Sequence, residues 1–112
     1  MVKSAYVPER GDLIWLNFTP QSGHEQTGKR PAIVLSPLTY NKKTNLMIAC
    51  PITSKVKGYP FEVKIDGKTI DGVVLSDQVK NLDWKARNAI FIEKASKNIL
   101  KQVQEKLFLL LQ

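Results

Sequence analysis

The feature that most constrains this chain is a succession of short β-type runs, each stopped by glycine or proline, giving way near the C-terminus to a single helical period. Residues 12–18 are aliphatic and aromatic and lie between Gly11 and Thr19-Pro20, a composition that favours an extended strand. Residues 31–36 form a second run, apolar enough to be buried on both faces, and Pro37 ends it. Residues 46–52 form a third, in which Pro51 suggests an edge position or a bulge because proline donates no ladder hydrogen bond. Residues 61–65 alternate apolar with charged side chains, and Asp66-Gly67 turns the chain toward residues 70–75, so this pair reads as a hairpin with one wet face. The polar stretch 80–85 then precedes a last strand over 87–93. From Ser96, a good N-cap, apolar residues recur at Ile99, Leu100, Val103, Leu107, Leu110 and Leu111, one face of a 3.6-residue period.

Five or six short strands followed by one amphipathic helix specify a mainly β (α+β) fold, a small SH3-like curled antiparallel sheet or barrel with a C-terminal helix. A chain of 112 residues is one domain with room for a real core, although a second copy would help its stability. The single Cys50 excludes an internal disulfide, and one cysteine with one histidine does not complete a structural zinc site. No metal and no cofactor is therefore expected. No apolar run approaches the ~20 residues of a membrane-spanning helix, which leads to the expectation of a soluble cytoplasmic protein.

The net charge of +7 is unevenly spread. Between Glu25 and Lys57 the basic residues Lys29, Arg30, Lys42, Lys43, Lys55 and Lys57 face the lone acid Glu25, and a surface so biased toward one sign points to an anionic partner. Lys97, Lys101 and Lys106 read instead as the solvated face of the helix. The stretch from Gly23 to Pro31 holds the only histidine, His24, and its glycines and proline favour an ordered loop. A second basic loop follows the third strand, over residues 53–60. The two loops leave adjacent strands and so are expected to share one concave site.

Cleaving RNA without a metal requires a 2′-hydroxyl activated and aligned with phosphorus, stabilisation of the phosphorane charge, and a proton for the 5′-oxygen. His24 can move a proton near neutral pH, Glu25 can act as a base or orient a neighbour, and Arg30 suits a bidentate phosphate clamp. The Thr53 hydroxyl can bond a non-bridging phosphate oxygen, with Ser54 assisting. Lys29, Lys55 and Lys57 suit the RNA backbone, Phe18 and Tyr59 offer surfaces on which unpaired bases stack, and Asp77 and Gln78 carry groups that read base edges. Each also has a plain structural alternative: a solvated loop, a surface ion pair, a strand threonine, a core aromatic or a capped turn.

With these residues assembled, the chain resembles the MazF/PemK family of toxin endoribonucleases over almost its full length. The motifs that carry the resemblance are Arg10-Gly11-Asp12-Leu13-Ile14-Trp15, Glu25-Gln26 with Gly28 and Arg30-Pro31-Ala32, Val34-Leu35-Ser36-Pro37, Pro51 with Thr53, Gly58-Tyr59-Pro60-Phe61, Asp71-Gly72-Val73, Asp77-Gln78-Val79-Lys80 and Trp84-Lys85-Ala86-Arg87. The resemblance implies a homodimeric mRNA interferase of a type II toxin–antitoxin system, silenced by an acidic antitoxin. It also implies metal-independent, sequence-specific cleavage of single-stranded RNA to a 2′,3′-cyclic phosphate and a 5′-hydroxyl. The family's arginine and threonine fall on Arg30 and Thr53, and its loop glutamate on Glu25. A PemK-type scheme of histidine, aspartate and arginine matches at His24 and Asp77, but Leu75 occupies the arginine's place, which favours the MazF branch. Two other classes stand against this reading. One is a CcdB-like, gyrase-binding toxin, disfavoured because the end Phe108-Leu109-Leu110-Leu111-Gln112 lacks a tryptophan. The other is a non-catalytic RNA-binding module.

Overall fold

The computed structural model describes residues 6–17 and 28–112. Among these residues seven strands and two helices follow one another as β1 (Asp12–Asn17), β2 (Lys29–Val34), α1 (Leu38–Thr44), β3 (Leu46–Thr53), β4 (Glu62–Ile65), β5 (Gly72–Leu75), β6 (Lys80–Asp83), β7 (Ile90–Lys94) and α2 (Lys97–Leu109). All pairings are antiparallel, in the order β4-β5-β3-β2-β1-β7, with β6 also on β3. The expected mainly β, curled antiparallel sheet with a C-terminal helix is the observed architecture.

The curl centres on β3. One side of this long strand pairs with β2, while its other side meets β6 along Leu46 to Ala49 and β5 at Ile52 and Thr53. The sheet thus divides there into two wings. Pro51 does not make β3 an edge strand, as its sequence suggested. It falls between the β6 and β5 pairings, so neither of those two ladders is asked for its missing donor. The wings approach each other again where the Glu93 carboxylate on β7 accepts the N–H groups of Lys68 (3.2 Å) and Thr69 (3.0 Å) in the β4–β5 turn.

Because successive strand residues face opposite ways, the apolar runs bury two faces. Leu13, Ile33, Cys50, Ile52, Val63, Ile65 and Val74 pack with Ile99, Val103 and Leu107 of α2. Ile14, Leu16, Ala32, Val34, Met47 and Ala49 pack on the other side with Trp84. Each fully buried Leu, Ile or Val side chain contributes about 1.5–3 kcal/mol relative to exposure. Ser96 caps α2 as expected, its Oγ accepting the Ile99 N–H at 3.1 Å.

Other expectations are corrected by tertiary pairing. Lys29 and Arg30 belong to β2 and not to the preceding loop. The polar residues 80–83 form β6 against β3 although only Leu82 is partly covered. The last strand starts at Ile90, after a turn in which Asn88 takes a left-handed φ of 54°. Sequence periodicity gave no sign of the seven-residue α1. It is held by Asn41, whose buried amide donates to the Pro8 carbonyl (2.7 Å) and whose own carbonyl accepts the Trp84 indole N–H (2.9 Å). The Arg10-Gly11-Asp12 motif is likewise structural: Asp12, 2% exposed, accepts from the Tyr6 hydroxyl (2.5 Å) and the Lys94 ammonium (2.6 Å).

Candidate functional site

The site is organised by strand register. The β2–β3 ladder pairs Val34 with Ala49, Ile33 with Cys50 and Ala32 with Pro51. The ladder stops there; continued two residues further, the same register would line up Arg30 with Thr53, on one face because the pleat repeats every two residues. Lys29 pairs with Asn17 and falls on the alternate face. Arg30 is exposed, and among the described residues no carboxylate pairs with it.

Thr53 ends β3 half-buried, and its Oγ1 accepts the Lys55 N–H at 3.1 Å. With an acceptor position used, the hydroxyl proton remains to be donated outward. Gly72 explains how β5 comes so close. A Cβ on this residue, at φ +132°, would stand 2.4 Å from the Thr53 carbonyl oxygen, so only glycine lets the strand seat against Thr53.

The second basic loop is tied at three points. The Glu62 carboxylate accepts the N–H groups of Lys57 (3.1 Å) and Gly58 (3.0 Å), the Lys106 ammonium on α2 donates to the Pro60 carbonyl (2.8 Å), and Ser76 N–H donates to the Phe61 carbonyl (3.0 Å). The Lys57 ammonium lies 5.8 Å from the centre of the Tyr59 ring, a cation–π distance. Between this loop and the turn after β5 is a cavity of about 200 Å³ lined by Thr53, Lys55, Lys57, Tyr59, Asp77 and Gln78, with Glu62 and Leu75. Half of the residues expected to act on RNA therefore meet in one place. Ser54 does not join them and lines the neighbouring cavity instead.

Phe18, His24 and Glu25 lie outside the described residues. The segment carrying them is joined to the sheet at the Asn17–Lys29 pair, the same end as Arg30 and Thr53. Lys42 and Lys43 are not part of this surface. They occupy the last turn of α1, at the opposite end of β3, roughly 25 Å away at 3.3 Å per residue. The basic third of the sequence is thus two separate patches. Glu62, Gly72 and Arg87, which donates to the Asn17 carbonyl at 3.1 Å, were not assigned roles by sequence reasoning. Glu62 looks like any charge on the wet face of an alternating strand, and Gly72 like any turn glycine.

Cys50 is buried beneath the site, and burial, reinforced by the nearby charge of Asp77, pushes its thiol up to about 12. It is therefore inert as a nucleophile at neutral pH. Among the described residues no three His, Cys, Asp or Glu side chains converge as metal ligands, and no helix is long and apolar enough to cross a membrane.

Comparison with known proteins places the chain in a family. Residues 9–111 match the family model described as PemK-like, MazF-like toxin of type II toxin-antitoxin system. The chain is 56% identical over 86 residues to the Endoribonuclease toxin MazF of Escherichia coli K12, covering 77% of this chain and 78% of that protein. To Endoribonuclease PemK of Escherichia coli it is 35% identical over 104 residues, covering 88% and 78%. The toxin chain in a crystal structure of MazE-MazF from Deinococcus radiodurans superposes with a TM-score of 0.86 at 48% identity, over 96% of this chain and 97% of that one. With the register, the loop and the cavity all built from the motif residues, the chain belongs to the PemK-like, MazF-like toxins of type II toxin–antitoxin systems and lies nearer to MazF than to PemK.

Proposed function

We propose that this endoribonuclease toxin cuts single-stranded RNA across the surface between Arg30 and Thr53, by attack of the 2′-hydroxyl on the adjacent phosphorus and without a metal. The Arg30 guanidinium clamps the scissile phosphate, and the Thr53 hydroxyl donates to a non-bridging oxygen as charge builds on the phosphorane. Glu25 and His24, on the segment joined at the same end of the sheet, serve proton transfer. The products are a 2′,3′-cyclic phosphate and a 5′-hydroxyl. Lys55 and Lys57 follow the backbone, Tyr59 and Phe18 stack on bases, and Asp77 and Gln78 contact base edges. The single observation that carries this reading is the β2–β3 register: continued past Ala32–Pro51 it lines up Arg30, which has no carboxylate partner among the described residues, with a threonine whose hydroxyl oxygen already accepts the Lys55 N–H.

The toxin acts in the cytoplasm as one domain over residues 1–112, assembled as a homodimer. A mostly apolar groove of about 560 Å³ between α1, β3 and α2, lined by Ile48, Val79, Phe108 and Leu111 among others, supports self-association. An acidic antitoxin segment competes with RNA for the basic loops, consistent with the MazE-MazF complex known for a structural relative.

The test is incubation of purified protein with a long mixed-sequence RNA in EDTA, followed by mapping of 5′ ends. Cleavage at recurrent sites with 5′-hydroxyl ends is expected, with DNA uncut for want of the 2′-hydroxyl. Activity lost in EDTA and restored by magnesium would refute the metal-free mechanism. Binding of RNA without cleavage would turn the reading into that of a binding module.

A further inference from the structure

The face that carries Thr53 continues beyond its cavity. Directly paired residues on antiparallel strands point the same way, so Lys64 on β4, Val73 on β5 and Thr53 on β3 form one row across three strands. Two strand spacings put Lys64 about 10 Å from Thr53. Beside this row is a second cavity, of about 380 Å³, lined by Ser54, Val56, Gly58, Tyr59, Lys64 and Asp71 together with Glu62, Gly72 and Val73. It is larger than the first, and the two share Tyr59 and Glu62. Tyr59, 58% exposed, is a ridge between them.

The chemistry of the second cavity is selective. Glu62 accepts one backbone N–H on each carboxylate oxygen, from Lys57 and Gly58, which fixes it as a wall of the cavity. Asp71 uses Oδ1 to accept the Gly72 N–H at 3.0 Å and keeps its other oxygen for a ligand. Val56, 63% exposed, and Val73 supply apolar surface, and beside Gly58 nothing lies within 4 Å of where a Cβ would stand. A cation, an acceptor-only carboxylate, a tyrosine ring and an open apolar wall match the phosphate, the exocyclic amine and the flat face of a nucleotide.

We propose that this cavity holds the nucleotide next to the one at Thr53 and selects a base bearing an exocyclic amino group over uracil. Asp71 accepts from that amine, Lys64 faces the phosphate, and Tyr59 stacks. Uracil carries no exocyclic amine: where adenine and cytosine present N6 or N4 it presents the O4 carbonyl, and it lacks the N2 amine of guanine, so a carboxylate facing O4 is repulsive. This subsite rests on the endoribonuclease reading above and adds to it one position of base specificity.

The experiment is digestion of one randomised single-stranded RNA pool by the wild-type protein, by Asp71→Ala and by Asp71→Asn, with cleavage sites sequenced and base frequencies compiled around the cut. Wild-type protein is expected to disfavour uracil roughly tenfold at one position flanking the cut, the scale of a hydrogen bond to a charged group. Asp71→Ala brings that ratio close to one while preferences at other positions persist. Asp71→Asn, which donates as well as accepts, admits uracil at that position. Lys64→Met raises KM on a fixed substrate more than it lowers kcat. Far-UV circular dichroism verifies that each variant is folded. Identical base profiles for wild type and both Asp71 variants would overturn the subsite while leaving the endoribonuclease reading intact. A wild-type protein that cuts no RNA at all would overturn both.

Discussion

Under the proposed function Arg30 and Thr53 act on the same phosphate from neighbouring strands, so the loss of either would remove an oriented donor from the site. Removing one such transition-state donor typically costs a few kcal/mol. Arg30→Ala and Thr53→Ala are accordingly each expected to lower the single-turnover cleavage rate at least about tenfold, with His24→Ala costing less. A folded Arg30→Ala protein that cleaves at the wild-type rate would reject this division of roles. Gly72 makes a separate prediction, because a Cβ there would meet the backbone of Thr53 and Ser54 and not the Thr53 hydroxyl. At φ +132° and 2.4 Å from the Thr53 carbonyl oxygen, Gly72→Ala must strain its own backbone and push Thr53 away. A stability loss of about 1–3 kcal/mol by chemical denaturation is expected, with kcat falling further than in Gly58→Ala, which shares the strain of a positive φ (+82°) but whose Cβ meets nothing.

Among the elements, the β4–β5 turn shows how the curled sheet is held together at its far ends. Glu93 of β7 accepts backbone N–H groups from that turn, and these bonds, that of Thr69 first, together with the charge of Lys68, hold its carboxyl below the ordinary value near 4.5. A folded-state value below the unfolded one stabilises the protein above the ordinary carboxylate range, and the contribution is lost as pH falls through that range and below it. Thermal melts of wild type from about pH 5 to pH 3 should therefore lose Tm more steeply than those of Glu93→Gln. Parallel slopes would mean the turn is not anchored this way. The loop after β3 depends on Glu62 and Lys106 in the same manner, so its lysines are presented by a tied loop and not by a free one.

For the whole molecule, the position of charge matters more than its sum. Arg30, Lys55 and Lys57 lie at one end of the sheet, whereas Lys42 and Lys43 lie at the other. Three phosphate contacts on a single strand correspond to a fall in affinity of roughly 20-fold between 50 and 200 mM salt. Fluorescence anisotropy with a non-cleavable RNA analogue should show this slope, reduced by Lys55→Gln and untouched by Lys42→Gln with Lys43→Gln. A flat response would return the site lysines to ordinary surface. The apolar groove makes the companion prediction. Phe108 is 53% exposed and Leu111 69% exposed, so sedimentation should report a dimer for wild type and a monomer for Phe108→Glu. A wild-type monomer at micromolar concentration would reject self-association through this face.

The local pattern of residues determined the strand runs, the α2 period with its Ser96 cap, the excess of positive charge and the motif residues from Arg10 to Arg87, because each depends on neighbours within a turn or a pleat of the chain. Hydrophobic period and capping are local quantities. What only the tertiary structure decided depends on pairing between distant strands. Residues 80–83 carry no strand signal of their own and extend because β3 offers them a ladder. Pro51 sits in a central strand because the neighbouring strand changes around it. Arg30 and Thr53, 23 positions apart, are carried to the same end of the sheet by the register that the buried pairs Ile33–Cys50 and Val34–Ala49 set. The same pairing carries Lys42 and Lys43 to the far end, since a residue's place along a strand becomes a place in space only when its partner strand is known.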